Sequence, residues 1–254
     1  MQISLKDWMN FKDKLSAMSK KAADLMADYV NKGGGYANMP TEDVIAYATA
    51  LAQKYGEGTG ALSAMMYDAI AELSNAAVEA AEIAPVASYG DVAKAIQGAA
   101  KTSTDPSYLG GVVGRLVKQV GADTTLQNAM RDGAEFAWIP VGDTCAFCLT
   151  LASRGWQHIS KRTLKNGHAE HIHANCDCTY AVRFNDSTEV EGYDPDKYLR
   201  MYYDAPGSKP KDKINAMRRE FYAENSEEIN KQKRDAYAKQ KERESSQAEE
   251  YDVN

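Results

Sequence analysis

The sequence predicts an α+β protein, with a mainly α-helical N-terminal domain, a small α+β module and a charged helical tail. Two observations lead to this prediction. Apolar residues recur every three or four positions through residues 1–135, which is the spacing of one helix face. Short aromatic and β-branched stretches follow, and these favour strands. The predicted boundaries are 1–135 for the helical domain, 136–184 for the module, and 185–254 for the linker and tail.

The helical domain begins with an amphipathic helix whose apolar face runs from Leu5 to Tyr29. The glycine run 33–35 should end it. Pro40, followed by negative charge in the first turn, predicts the start of the second helix. We expect the glycines of "YGEGTG" either to break that helix or to mark points of close packing.

The next predicted helix is the alanine-rich segment 61–84, which should end at Pro85. Shorter helical patterns follow in segments 89–101 and 108–136. Three candidate strands come next, and they are "EFAWIPVG", "GWQHIS" and "TYAVRF". Beyond them we expect a loop, a short helix over 194–205, a linker, and a mixed-charge segment that is a solvated helix, partly disordered, or folds on a partner.

Bulk composition excludes some classes of function. The 254-residue chain carries a net charge of −6, which gives no general attraction for nucleic acid or an anionic membrane. No apolar run approaches the roughly 18 residues of a membrane span. The first residues do not have the pattern of a secretory signal. We therefore expect a reducing cytoplasm during folding, where clustered cysteines indicate a metal more often than a disulfide.

All four cysteines lie between the candidate strands, in two short pieces. Cys145 and Cys148 form a C-x2-C pair, His173 and Cys176 repeat the spacing, and Cys178 follows. Structural zinc takes four tetrahedral Cys or His ligands, so five candidates compete for four places at one ion. The repeated spacing favours the first four, a four-cysteine site is the alternative, and spacing cannot decide between them. On this basis we expect the small module to be a zinc knuckle.

A catalytic metal is the less favoured interpretation. Zinc deaminases carry H-x-E before P-C-x-x-C, whereas "HAE" with Glu170 follows the cysteine pair here. An H-E-x-x-H metalloprotease helix is absent from the sequence. The alternatives to a structural role are a deaminase-type or nuclease-type enzyme with Glu170 assisted by His168 or His171, and a DNA-binding module. The module's basic residues are Arg154, Lys161, Arg162, Lys165 and Arg183.

The run "FAWIPVGDTCAFCLTLASRGWQHIS", followed by "HIHANCDC" and "TYAVRF", resembles the C-terminal module of phage minor head proteins of the Mu F-like and VG15 type. That family's signature is a Cys-x2-Cys after a strand, and then a His-x2-Cys-x-Cys ending. The helical stretch "YGEGTGALSAMMYDAI" is also similar to the family's N-terminal part. The resemblance covers most of residues 50–185.

The resemblance implies a structural, non-enzymatic protein of the phage head, present in few copies. It implies association with the portal or the inner capsid, and help in head assembly and in DNA packaging or delivery. The expected partners are the portal protein, the major capsid protein or both, with packaged DNA as a further possibility. We expect no membrane association and no small-molecule substrate. The expected location is the virion, after assembly in the host cytoplasm.

Overall fold

The computed structural model describes residues 2–140, 146–159 and 179–224, and scattered positions between 226 and 238. These residues are mostly helical with a few short strands, so the predicted α+β class is confirmed. The α-helices of the described residues are α1 (Leu5–Lys32), α2 (Thr41–Leu73), α3 (Tyr89–Ala100), α4 (Pro106–Asp132), α5 (Ala146–Ala152), α6 (Pro195–Asp204) and α7 (Pro210–Glu224). The strands are β1 (Gln2–Ile3), β2 (Glu135–Ile139), β3 (Gln157–His158), β4 (Thr179–Arg183) and β5 (Glu189–Val190).

Helix α1 begins and ends where its local chemistry requires. The side chain of Ser4 accepts a hydrogen bond from the Asp7 N–H at 3.1 Å, which satisfies one of the first-turn donors. At the other end the Gly33 N–H bonds to the carbonyl of Tyr29, and Gly34 and Gly35 follow with positive φ angles. The predicted stop at the glycine run is therefore confirmed.

Helix α2 starts after Pro40, as predicted, but the prediction that its glycines break it was wrong. The helix continues to Leu73. Two of its glycines, Gly56 and Gly60, lie where α4 comes close. A β-carbon at Gly56 would lie 3.0 Å from Val120 Cγ2, and one at Gly60 would lie 3.1 Å from Val120 Cγ1. Between them, the Thr59 hydroxyl donates to the Val117 carbonyl of α4 at 2.7 Å. The alternative interpretation of close packing is the correct one.

The prediction of a helix through residues 61–84 was also wrong beyond Leu73. Asn75 adopts a left-handed φ of 52°, the Asn75 N–H bonds to the Glu72 carbonyl, and the Ala76 N–H bonds to the Ala71 carbonyl. This is a Schellman ending, in which a left-handed residue closes the last turn. Residues 76–88, which we call the strap, then run without regular secondary structure to α3.

Side chains of α4 hold the strap. The Asn128 side chain is buried, accepts from the Glu82 N–H at 2.9 Å, and donates to the Glu82 carbonyl at 2.8 Å. The Asn128 side chain therefore pairs with both the N–H and the carbonyl of one residue, as the backbone of a neighbouring strand does in a sheet. The other α4 contacts are Thr124 Oγ1, which accepts from the Ala84 N–H at 3.0 Å, and Arg131, which donates to the Glu79 and Ala80 carbonyls at 2.7 and 3.1 Å.

The end of α4 carries a partly buried polar cluster that ties it to α2. The Tyr67 hydroxyl donates to Asp132 Oδ2 at 2.7 Å, and Arg131 donates to both oxygens of the same carboxylate. Burial raises the pKa of Asp132, but the hydrogen bonds from Arg131 and Tyr67 outweigh it and leave the pKa below its ordinary value. Burial and the bond to Asp132 raise the pKa of Tyr67. At pH 7 the cluster therefore holds a charged carboxylate.

Strands β3, β2 and β4 form an antiparallel sheet in the order β3-β2-β4, so the three predicted strands are confirmed. One face of the sheet carries Phe136, Trp138, Tyr180 and Val182, and it continues to Phe184, whose ring meets Tyr67 of α2 edge-on at 5.3 Å. This face lies on the helices. A hydrophobic cluster there includes residues of α1, α2 and α4, so the sheet and the helices share one core.

Two further contacts join distant parts of the chain. Strands β1 and β5 pair in parallel, with Ile3 opposite Val190, and the Leu5 N–H donates to Glu191 Oε2 at 2.8 Å. Helices α6 and α7 pack on α5 through a separate cluster that includes Leu149, Tyr198, Met217 and Phe221. Among the described residues, no helix combines the length and apolarity needed to cross a membrane.

Candidate metal centre

Of the five predicted zinc ligands, the structure describes Cys148. The other four, Cys145, His173, Cys176 and Cys178, lie outside the described residues, and so do His168, Glu170 and His171. Among the residues that are described, no group of three or more His, Cys, Asp or Glu side chains could hold a metal ion. The ligand set and the zinc ion stay predictions.

Cys148 lies in the middle of α5 and is 1% exposed. Helix α5 is buried on two sides. Cys148 and Leu151 belong to the cluster that contains the sheet, whereas Leu149 and Ala152 belong to the cluster shared with α6 and α7. Reactive cysteines occupy partly exposed sites, so this burial fits a structural thiol better than a nucleophile.

The described chain leaves the sheet and returns to it at one point. It leaves β2 at Ile139, in the direction of the first cysteine pair, and it enters β4 at Thr179, directly after the last cysteine. Ile139 and Thr179 are paired across the two strands. Helix α5, with Cys148, packs on β2. The described flanks of both Cys/His segments are thus brought together by the sheet.

The opposite end of the sheet holds a charged cluster. Arg183 Nε lies 2.6 Å from Glu135 Oε2, and Arg183 Nη2 lies 3.1 Å from Asp186 Oδ1. Its guanidinium also lies 5.0 Å from the centre of the Trp156 ring. His158 faces the same Glu135, with Nε2 3.9 Å from Oε1, but its side chain is 72% exposed. Arg183 is therefore engaged within the fold.

This finding bears on the DNA-binding alternative. Of the basic residues that the DNA-binding alternative would use, Arg183 is paired and mostly buried, and Arg154 is exposed. Lys161, Arg162 and Lys165 lie outside the described residues. Sequence reasoning missed the Arg183 cluster. The sequence did hold a signal for it. Glu135 begins one predicted strand and Arg183 lies near the end of another, so antiparallel pairing of the two strands places these residues opposite each other.

The donor set fits zinc on chemical grounds. Thiolate and imidazole ligands in a closed set suit Zn²⁺, and the described Cys148 is buried against the sheet. A second observation is compatible with a buried group at this place. The Thr179 Oγ1 atom is buried and has no hydrogen-bond partner among the described residues.

Comparison with known proteins decides the family. The model of the VG15 protein family matches residues 2–205. The chain belongs to this family. VG15 is a phage-associated family, so the predicted resemblance to it is confirmed, while the Mu F-like subtype stays a prediction. The match spans α1 to α6 and ends before α7. No curated protein and no solved structure matches the chain.

Proposed function

We propose that this VG15 family member is a structural minor head protein of a tailed bacteriophage. It associates with the portal or the inner capsid and assists head assembly and DNA packaging or delivery. The observation that carries the proposal is the family match, which includes the helices and the sheet together. The working location of the protein is the phage head.

The contacts of the described residues support a structural role. Cys148 is buried in α5, and Arg183 is bound to Glu135 and Asp186. The buried polar side chains Thr59 and Asn128 bond to the backbone of neighbouring segments. Each of these groups is occupied by a contact that holds the fold together.

One zinc ion belongs to the same proposal, bound by four of Cys145, Cys148, His173, Cys176 and Cys178. When bound, it joins the two Cys/His segments that the sheet brings to Ile139 and Thr179. With four protein ligands, the ion would have no open position for substrate. Its contribution is to the stability of α5 and of the loops around it.

Co-expression with the portal protein of the same phage tests the function. The tagged chain should retain the portal through affinity capture and size-exclusion chromatography. A parallel co-expression replaces the portal protein with the major capsid protein. Comparing the two captures separates a portal contact from an inner-capsid contact. Retention of neither protein would contradict the proposal. An activity of the purified chain on nucleic acid that Glu170→Ala abolishes would support the enzyme instead.

A further inference from the structure

The last turn of α1 and the second turn of α2 hold two tyrosine rings in a stack. The ring centres of Tyr29 and Tyr47 lie 4.1 Å apart, and the ring planes are inclined by 24°. Aromatic pairs in proteins usually have centres about 4.5–7 Å apart, with offset or edge-on rings. The two phenol rings are therefore in close, nearly parallel contact.

The packing of the two helices holds this stack in place. Both rings are partly buried against the aliphatic cluster formed by α1 to α4. Val30 and Ala48, which follow the two tyrosines in the sequence, are fully buried in that cluster. A tyrosine side chain has only two torsions, so a fixed backbone leaves its ring little freedom.

Two other tyrosine pairs among the described residues are less close. The ring centres of Tyr202 and Tyr203, neighbours in α6, are 5.8 Å apart, and their planes are inclined by 74°. The ring centres of Tyr193 and Tyr198 are 6.4 Å apart. Of these three pairs, the one between α1 and α2 combines the shortest distance with the smallest angle.

Two phenols in such contact can be joined by one-electron oxidation. Each phenol that loses an electron and a proton becomes a tyrosyl radical, with its unpaired electron shared between the oxygen and the ring carbons beside it. Two radicals form a bond between those carbons, and the hydrogen on each joined carbon then moves to the oxygen of its ring. Hydrogen peroxide takes up the two electrons and two protons and becomes two molecules of water.

We propose that Tyr29 and Tyr47 are an oxidative cross-linking site, at which peroxide and a haem peroxidase join α1 to α2 through a dityrosine bond. Rings that are already in contact react without a diffusive encounter, which favours coupling within one molecule over coupling between molecules. The bond closes the glycine turn between the helices into a covalent loop. It stabilises the fold as a disulfide does, by restricting the unfolded chain.

Peroxidase treatment of the full chain at low protein concentration tests the proposal. We expect the fluorescence of dityrosine in the monomer fraction from size-exclusion chromatography. Trypsin cleaves after Lys21, Lys32 and Lys54, so Tyr29 and Tyr47 fall in the separate peptides 22–32 and 33–54. Mass spectrometry should find these two peptides linked, with the loss of two hydrogen atoms.

Phenylalanine substitutions separate the phenol from the ring. Tyr29→Phe and Tyr47→Phe keep an aromatic ring in the stack but cannot form the radical, and each should abolish the linked peptide. Tyr55→Phe is the matched control. Tyr55 packs against the same cluster and lies near Tyr47, since it follows burial among the causes that raise the pKa of Tyr47. This variant should keep the wild-type yield.

A further variant is needed because Tyr36 shares the peptide 33–54 with Tyr47. Tyr36→Phe should leave the yield unchanged, and loss of the linked peptide in that variant would overturn the assignment to Tyr47. Persistence of the linked peptide in Tyr29→Phe would overturn the site. Dityrosine confined to dimers would overturn it as well, because exposed residues such as Tyr203 and Tyr237 would then be the ones that react.

Urea unfolding of the oxidised proteins gives a second readout. The midpoint should lie at a higher urea concentration for the oxidised wild type than for the oxidised Tyr29→Phe variant, whereas the two proteins should differ less before oxidation. Equal midpoints after oxidation, with the linked peptide present in high yield, would overturn the stabilising effect of the bond.

Discussion

Helices α1 to α4 and the sheet β3-β2-β4 are held together by different means. The cluster among the helices is built mainly of aliphatic side chains, including Val30, Val44, Ile96 and Leu109. The sheet contributes aromatic side chains, such as Phe136, Trp138 and Tyr180. The helices approach one another at glycines, whereas the sheet packs on α2 and α4 and carries the short helix α5 against β2.

This difference shows which part of the protein depends on the Cys/His segments. The buried residues of the aliphatic cluster all come from α1 to α4. Helix α5, in contrast, is only seven residues long. A helix of this length is not stable alone, and its position depends on its packing and on the segments at its ends.

The largest expected effect follows from removal of the metal. We predict that a chelator releases α5 and the sheet edge around Thr179, because the zinc ion is proposed to join the segments on both sides. The amides around the aliphatic cluster, such as those near Met26 in α1, should keep their protection, since the buried residues of that cluster all come from α1 to α4. Hydrogen exchange measured by mass spectrometry, with and without chelator, checks this. Equal loss of protection in α1 would contradict the division.

The next effect concerns the glycine contacts. A β-carbon at Gly110 of α4 would overlap the backbone carbonyl oxygen of Ala23 in α1. Because backbone cannot move aside as a flexible side chain does, Gly110→Ala should lower the free energy of unfolding by about 3 kcal/mol. Urea denaturation followed by circular dichroism measures it.

The control for this prediction is Gly98→Ala. Gly98 lies in α3, and a β-carbon there would have nothing within 4 Å. Alanine is the better helix former, so this variant should be more stable by about 0.5–1 kcal/mol. If both variants lost stability equally, the close approach of α1 and α4 would not be the cause.

A smaller effect is expected where α4 holds the strap. Asn128→Ala removes the partner of both backbone groups of Glu82. We expect a loss of about 2 kcal/mol in the free energy of unfolding and faster amide exchange in the strap. The exposed neighbour Gln127 is the control, and Gln127→Ala should change stability by less than about 0.5 kcal/mol. Unchanged exchange at Glu82 would mean that other contacts hold the strap.

The errors in predicting the fold have one physical cause. Segment 74–84 is rich in alanine and has the composition of a helix, yet after the turn at Asn75 it has no regular secondary structure, and Thr124, Asn128 and Arg131 bond to its backbone. Those side chains are 40 to 52 residues away in sequence, so a local pattern cannot reveal them. The glycines of α2 were misjudged for the same reason, since their partner Val120 belongs to another helix.

The candidate site was predicted at the level of residue types. Spacing alone pointed to five ligands and to a closed site, and the family match agrees with the resemblance that those residues carry. The arrangement of the described flanks was not predictable, because it depends on the pairing of Ile139 with Thr179 and on the packing of α5 against β2. The buried hydroxyl of Thr179 gives no signal in the sequence.

The sequence by itself determined the elements with local causes. Helix α1 stops at a glycine run, α2 starts after a proline, and the strands follow from runs of aromatic and β-branched residues. The tertiary structure alone decided where distant segments meet, such as the strap on α4 and β1 beside β5. Caps and periodicity act within a few residues, whereas these contacts depend on which side chains the folded chain brings together.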